Sequence, residues 1–243
     1  MFKALLEIDS LVTCRIIKRL TRFTLLVEVD GRFEIAYTNN TGRLKQYFAP
    51  NRKGLCAEVS SGKLKYRVIG VEEGTYAALV DVALQEKAFL EAQKLQLLPW
   101  LLGYKLYKHN YRLGKALIDY AFVHEERGLA LVELKSAVMK LSGDRAAYPD
   151  APTERGRKQI LALAEYAKQG KRAIVVFISA IPLARAFQLY CCADKYMKRV
   201  VDYASSCGVE FRSINVFLDP KKHSVVLGSP DIPVYLDCSD ICD

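Results

Sequence analysis

Two textures of hydrophobic patterning divide the chain. Up to about residue 80, apolar and polar positions alternate in short runs: VTCRIIK, FTLLVEV, RFEIAYT, LCAEV, LKYRVIGV and TYAALV. A period of two is the mark of strands with one buried face. Asp30-Gly31 is a strong hairpin turn between two of these runs, and Ser60-Ser61-Gly62 and Glu73-Gly74 are weaker ones. Short strands at this density, with no helix between them, predict a small barrel or sandwich, and an OB-type β-barrel of five strands fits the length. The pattern then changes. In DVALQEKAFLEAQKLQLLPW, the residues Val82, Leu84, Ala88, Phe89, Ala92 and Leu95 recur at helical spacing, and Pro99 ends the run. Strand patterns follow over 115–123, 128–136, 172–180 and 209–218, with helical ones over 153–168 and 193–206. Their alternation predicts an α/β sandwich with a mixed sheet. The expected organisation is a barrel domain over 1–81 and an α/β domain over 82–243.

The stretch LIDYAFVHEERGLALVELKS, from Leu117 to Ser136, places charge inside an apolar hairpin. His124–Gly128 is a plausible loop centred on Glu126, which sets Asp119 and Glu133 opposite one another. Side chains alternate along a strand, so Glu133 and Lys135 share a face. Two acids directly opposite repel and require a compensating cation. Lys135 is one candidate. A divalent metal held by Asp119 and Glu133, a main-chain carbonyl and waters is the other.

Composition bounds the partner. The 243 residues are 51% hydrophobic and 26% charged, which is globular, and no apolar run approaches a membrane span. MFKALLEIDS does not read as a secretory signal, so the expected location is cytoplasmic. Seven cysteines without paired CxxC knuckles argue against zinc and for buried free thiols, although Cys238 and Cys242 are close enough in sequence to pair. A homo-oligomer is not indicated. The net charge of +9 points to an anionic partner: nucleic acid, an acidic ligand or a membrane surface. TNNTGRLKQYFAPNRKG carries Arg43, Lys45, Arg52 and Lys53 among Tyr47 and Phe48. It reads equally as a nucleic-acid loop or as a solvated loop pinned by its aromatics. Lys105, Lys108, Arg112 and Lys115 interleave with Tyr104, Tyr107 and Tyr111 and lead into Asp119. Thr153 is a fair N-cap, and the first turns beyond it offer Arg155, Arg157 and Lys158 to phosphate. His109, His124 and His223 show no ligand spacing.

An Asp followed by Glu-x-Lys on the next strand and then a helix resembles the PD-(D/E)xK nuclease plan. NNTG (Asn39–Gly42), LIDYAF (Leu117–Phe122), VELKS (Val132–Ser136) and YPDAPTERGRKQI (Tyr148–Ile160) resemble the sugar fermentation stimulation protein A family over nearly the whole chain. The resemblance implies an OB-type barrel followed by a PD-(D/E)xK nuclease-like domain and binding to DNA, with a link to sugar utilisation. It assigns Asp119, Glu133 and Lys135 as the nuclease-like constellation, with Mg²⁺ or Mn²⁺ on the two acids. It also marks Asn40, Thr41 and Gly42 as the barrel motif, and Thr153, Arg155 and Gly156 as the helix start. The family pattern carries a Glu on the segment leading into the hairpin, Ser-Arg before the Asp, and a His after the Arg-Gly. This chain has the acid-free YKLYKHNYRLGKAL, Ala116-Leu117 and Gln159 in those places. The expectation is therefore a protein that binds DNA mainly through its phosphate backbone, possessing at most feeble cleavage. The alternative is a Mg- or Mn-dependent nuclease. No residue pattern identifies a sugar site.

Overall fold

The computed structural model describes residues 2–59 and 63–238, so the Ser60-Ser61-Gly62 turn lies outside the described residues. The alternating runs form strands β1 (Lys3–Glu7), β2 (Leu11–Arg19), β3 (Thr24–Val29), β4 (Arg32–Tyr37), β5 (Lys53–Glu58), β6 (Tyr66–Glu73) and β7 (Tyr76–Leu79). Helix α1 (Val82–Lys94) follows, then β8 (Lys105–Leu113), β9 (Ala116–His124), β10 (Gly128–Ala137), β11 (Met139–Leu141) and β12 (Arg145–Tyr148). The remainder is α2 (Glu154–Ala167), β13 (Arg172–Ser179), β14 (Ala186–Leu189), α3 (Met197–Ser206), β15 (Glu210–Asp219), β16 (Ser224–Ser229) and β17 (Val234–Tyr235).

Strands β2 to β6 make the OB-type barrel. Their order is β4-β3-β2-β5-β6, and a parallel pairing of Ala36 with Tyr66 and Tyr37 with Arg67 closes it. The inward row is apolar throughout: Cys14, Ile16, Leu25, Val27, Ala36, Leu55 and Val68 are buried. The second unit is an α/β sandwich of the PD-(D/E)xK type. Its mixed sheet runs β15-β13-β10-β9-β8, with β10, β13 and β15 parallel and β9 and β8 antiparallel. Phe89 of α1 meets Tyr120 and Phe122 on one face of β9. Gln159 of α2 meets Lys135, whose side chain leaves β10 on the opposite face. A smaller sheet, β11-β12-β14-β17, flanks this core.

β7 pairs with β6 of the barrel and with β15 of the sandwich, so both units share one sheet. β1 does not join the barrel but pairs antiparallel with β16. The basic segment before the hairpin is itself a strand, β8, at the sheet edge. Within the helical run expected over 193–206, α3 begins at Met197, with Tyr196 at its N-cap. The expectation of free thiols fails at Cys191 and Cys238, which are disulfide-bonded with Cα atoms 5.9 Å apart. The parallel register of Gln188 with Tyr235, continued three residues, brings those two cysteines together. Cys242 lies outside the described residues, and Cys14, Cys56 and Cys207 are free thiols.

Candidate active site

The hairpin register matches the one read from the loop. Gly128 pairs with His124 and Val132 with Tyr120, which continues to Glu133 opposite Asp119. The pair is not a surface pair: Glu133 is 2% and Lys135 7% exposed. The Asp119 N–H donates to Glu133 Oε2 at 3.2 Å, and the Leu134 N–H donates to Asp119 Oδ2 at 2.8 Å. Each carboxylate thus takes a main-chain hydrogen from its partner's strand, which fixes both against rotation. Lys135 Nζ donates to Glu133 Oε1 at 2.6 Å and to Gln159 Oε1 at 3.0 Å. Gln159 in turn donates to the Leu117 carbonyl at 2.9 Å. In the position where the resemblance expects histidine, it therefore ties α2 to β9 and steers the lysine.

Burial governs the electrostatics. It raises the Asp119 carboxyl above its ordinary range against the opposing pull of the Leu134 N–H, Lys135 and Arg155. It pushes Glu133 up to about 7, helped by the Asp119 charge and opposed by Lys135. Burial also works against the Lys135 ammonium, but Glu133, Tyr148 and Asp119 outweigh it and the lysine is raised. Lys135 therefore stays charged and acts as a donor.

A cleft of about 350 Å³ collects all four motifs. From the barrel side come Arg22, Asn40, Thr41 and Gly42; from the sandwich come Asp119, Glu133, Lys135, Asp150, Thr153, Arg155 and Gln159. The cleft also holds Glu86, which the sequence reading missed. The acid sought just before the hairpin is absent there because that segment is the basic strand β8; α1 supplies one instead. Burial raises the Glu86 carboxyl, the nearby Asp119 charge adds to this, and a bond to Tyr120 opposes it. Asp81 caps α1 by accepting from the Leu84 N–H at 2.8 Å. Asn39 accepts from the Val82 N–H at 2.9 Å and donates to Asp81 Oδ1 at 2.9 Å.

The other expected contacts separate by place. Asn40 is buried and spent on the fold: its amide donates to the Val80 carbonyl at 3.0 Å and its Oδ1 accepts from the Gly42 N–H at 3.0 Å. A Cβ at Gly42 would come 2.6 Å from Asp150 Oδ2, which also accepts from the Leu44 N–H at 2.9 Å. Asn40 and Gly42 therefore seat the loop as well as line the cleft. Arg19 completes that seat by donating to the carbonyls of Thr21, Arg22, Asn40, Gly42 and Arg43. Thr153 caps α2, accepting from the Gly156 N–H at 3.1 Å. Gly156 is required there, since a Cβ would sit 2.8 Å from both Thr153 Oγ1 and the Tyr148 hydroxyl. Arg157 is held by Asp194, whereas Arg155 is exposed in the cleft and makes no ion pair among the described residues. Lys158 pairs with Glu154 at 2.6 Å on the exposed face of α2. Arg43 and Lys45 line a neighbouring cavity of about 300 Å³. Lys105, Lys108 and Arg112 stand on exposed edge strand β8, with Lys115 in the turn after it, outside the cleft's lining.

An OB barrel fused to a PD-(D/E)xK-type domain, with the Asp, Glu and Lys of that constellation gathered in one cleft, defines the class as nuclease-like. Residues 79–222 match the sugar fermentation stimulation protein RE domain and residues 17–80 the SfsA N-terminal OB domain. The chain belongs to the sugar fermentation stimulation protein family. A homologue from Archaeoglobus fulgidus is 44% identical over 234 residues, covering 96% of this chain and 99% of that one. A homologue from Pyrococcus furiosus is 36% identical over 88% of this chain and 93% of its own. The solved structure of Pyrococcus furiosus SfsA in complex with Ca²⁺ superposes with a TM-score of 0.91 at 34% identity, covering 96% of this chain and 99% of that one. No helix among the described residues is long and apolar enough to cross a membrane.

Proposed function

We propose that this chain binds DNA along the cleft and hydrolyses phosphodiester bonds with a divalent cation, Mg²⁺ or Mn²⁺, held by Asp119 and Glu133. The observation that carries the reading is the buried Lys135–Glu133 pair at 2.6 Å beside a second buried carboxylate, opening on a cleft. A buried ion pair is a poor source of stability, so the fold alone gives little reason to keep it. Perturbed carboxyls in a cleft are instead what a reaction site requires. The donor set fits a hard cation: it consists of oxygens, and both carboxyls are raised by burial, so positive charge between them relieves a real cost. The Pyrococcus furiosus relative is described with Ca²⁺, an ion of the same oxygen preference.

When bound, such a cation polarises a phosphoryl oxygen and lowers the pKa of bound water. The chain's own residues do the rest. Asp119 and Glu133 are fixed by main-chain donors, so their oxygens are preset. Lys135, charged and held by Gln159, orients the attacking water or the scissile phosphate. Arg155, at the first turn of α2, receives the backbone phosphate. Glu86 adds a third carboxylate at the cleft wall.

A second reading, DNA binding without turnover, as would suit a regulator of sugar-metabolism genes, has one observation in its favour. Among the described residues, no three His, Cys, Asp or Glu side chains form a group that could hold a metal. Incubation of plasmid and single-stranded DNA with Mg²⁺ or Mn²⁺ separates the two. Cleavage by the wild type that is lost in both Lys135→Ala and Glu133→Gln is expected. Cleavage persisting in both variants rules out this site, and DNA retention without cleavage selects the second reading.

A further inference from the structure

The cleft leaves unused an exposed aromatic face on the barrel. Phe33, Ile35 and Tyr37 alternate along β4 and are 67%, 44% and 38% exposed. Their inward neighbour Ala36 is fully buried, so they occupy the outer surface by strand geometry. They sit opposite Glu28, Leu26 and Thr24 of β3, and Leu26 in turn sits opposite Lys18 of β2. The barrel order places β3 and β4 as its second and third strands. That outer face is where OB barrels hold oligonucleotides.

The charge on this surface is basic. Glu28 is spent on Arg15, while Lys18, opposite Leu26, and Arg22, beside Phe23, are exposed and make no ion pair among the described residues. The aromatic line also leads somewhere. Tyr37 sits opposite Thr24, and Phe23 next to it is 45% exposed. The Arg22 guanidinium lies 5.8 Å from the Phe23 ring centroid, and Arg22 lines the cleft that contains Asp119 and Glu133. Flat rings interleaved with unpaired cations suit a strand whose bases are free to stack, because rings take the base faces and cations the phosphates. A duplex keeps its base faces inside and cannot use such a row.

We propose that the β3–β4 face is a stacking platform for single-stranded DNA, feeding a strand past Phe23 and Arg22 into the cleft. The preferred substrate is then DNA with a single-stranded segment. This rests on the reading of the cleft as a DNA site, and the test separates the two. Labelled oligothymidine and a blunt duplex are titrated at low salt, by fluorescence anisotropy, into the wild type, the double variant Phe33→Ala/Tyr37→Ala, and Arg155→Ala. Both platform residues are exposed, so the double variant keeps the wild-type melting temperature. The expected result is a loss of about 30-fold or more for oligothymidine in the double variant, with duplex binding little changed, since each stacked base contributes about 1–3 kcal/mol. Arg155→Ala weakens both ligands. If the double variant holds oligothymidine like the wild type, or the wild type binds duplex alone, the platform is overturned and the cleft reading stands. Binding of neither DNA by the wild type overturns both. A wild-type dimer that the double variant converts to monomer assigns this face to self-association and also overturns the platform.

Discussion

Glu133 sits 2.6 Å from the Lys135 ammonium, yet its carboxyl is pushed up to about 7, because burial costs a carboxylate more than one neighbouring cation returns. The metal-free folded state therefore binds this proton more tightly than the unfolded chain, whose glutamate titrates near about 4.3. A raised carboxyl contributes stability that is fully present below the unfolded value and is lost as pH rises through about 7. In EDTA, the melting temperature should fall between about pH 5 and pH 8 by more in the wild type than in Glu133→Gln, by on the order of 5 °C. Mn²⁺ should restore it by mass action, most strongly at the higher pH where the carboxyls are ionised. Equal pH slopes in the two proteins would show that Glu133 does not titrate in this range.

Among the elements, α1 decides whether Glu86 reaches the cleft, and Asn39 decides where α1 begins. Its two 2.9 Å bonds join the barrel loop to the Val82 N–H and the Asp81 cap. Asn39→Ala should cost about 1–2 kcal/mol, a few degrees in melting temperature, and should reduce cleavage more than DNA affinity. An unchanged cleavage rate in a correctly destabilised variant would remove Glu86 from the reaction. The hairpin was legible from sequence because its register depends only on a local loop symmetric about Glu126. Glu86 was not, because a helix pattern shows which positions are polar but not which one meets a distant strand. The basic segment before the hairpin illustrates the same limit: its lysines were visible, but their place on an edge strand depends on pairing with β9. The Cys191–Cys238 bond likewise depends on the β14–β17 register, 47 residues apart in sequence.

For the whole molecule, the two textures of patterning correspond to real units, but the join between them was not legible. It consists of β7, four residues long, bonded to β6 on one side and β15 on the other. In mechanical terms β7 is a shared rivet and not a hinge. The cleft walls, one from each unit, are kept in line by a sheet that runs through both, and β1 laces the N-terminal segment into the far side. Neither unit can melt without stripping hydrogen bonds from the other. Calorimetry should therefore show one transition, with calorimetric and van 't Hoff enthalpies equal; two resolved peaks would mean the rivet gives way first. On the proposed reading, a nucleic acid meets cleft walls that one continuous sheet holds in line, so selection would favour DNA that bends, frays or presents a loose strand.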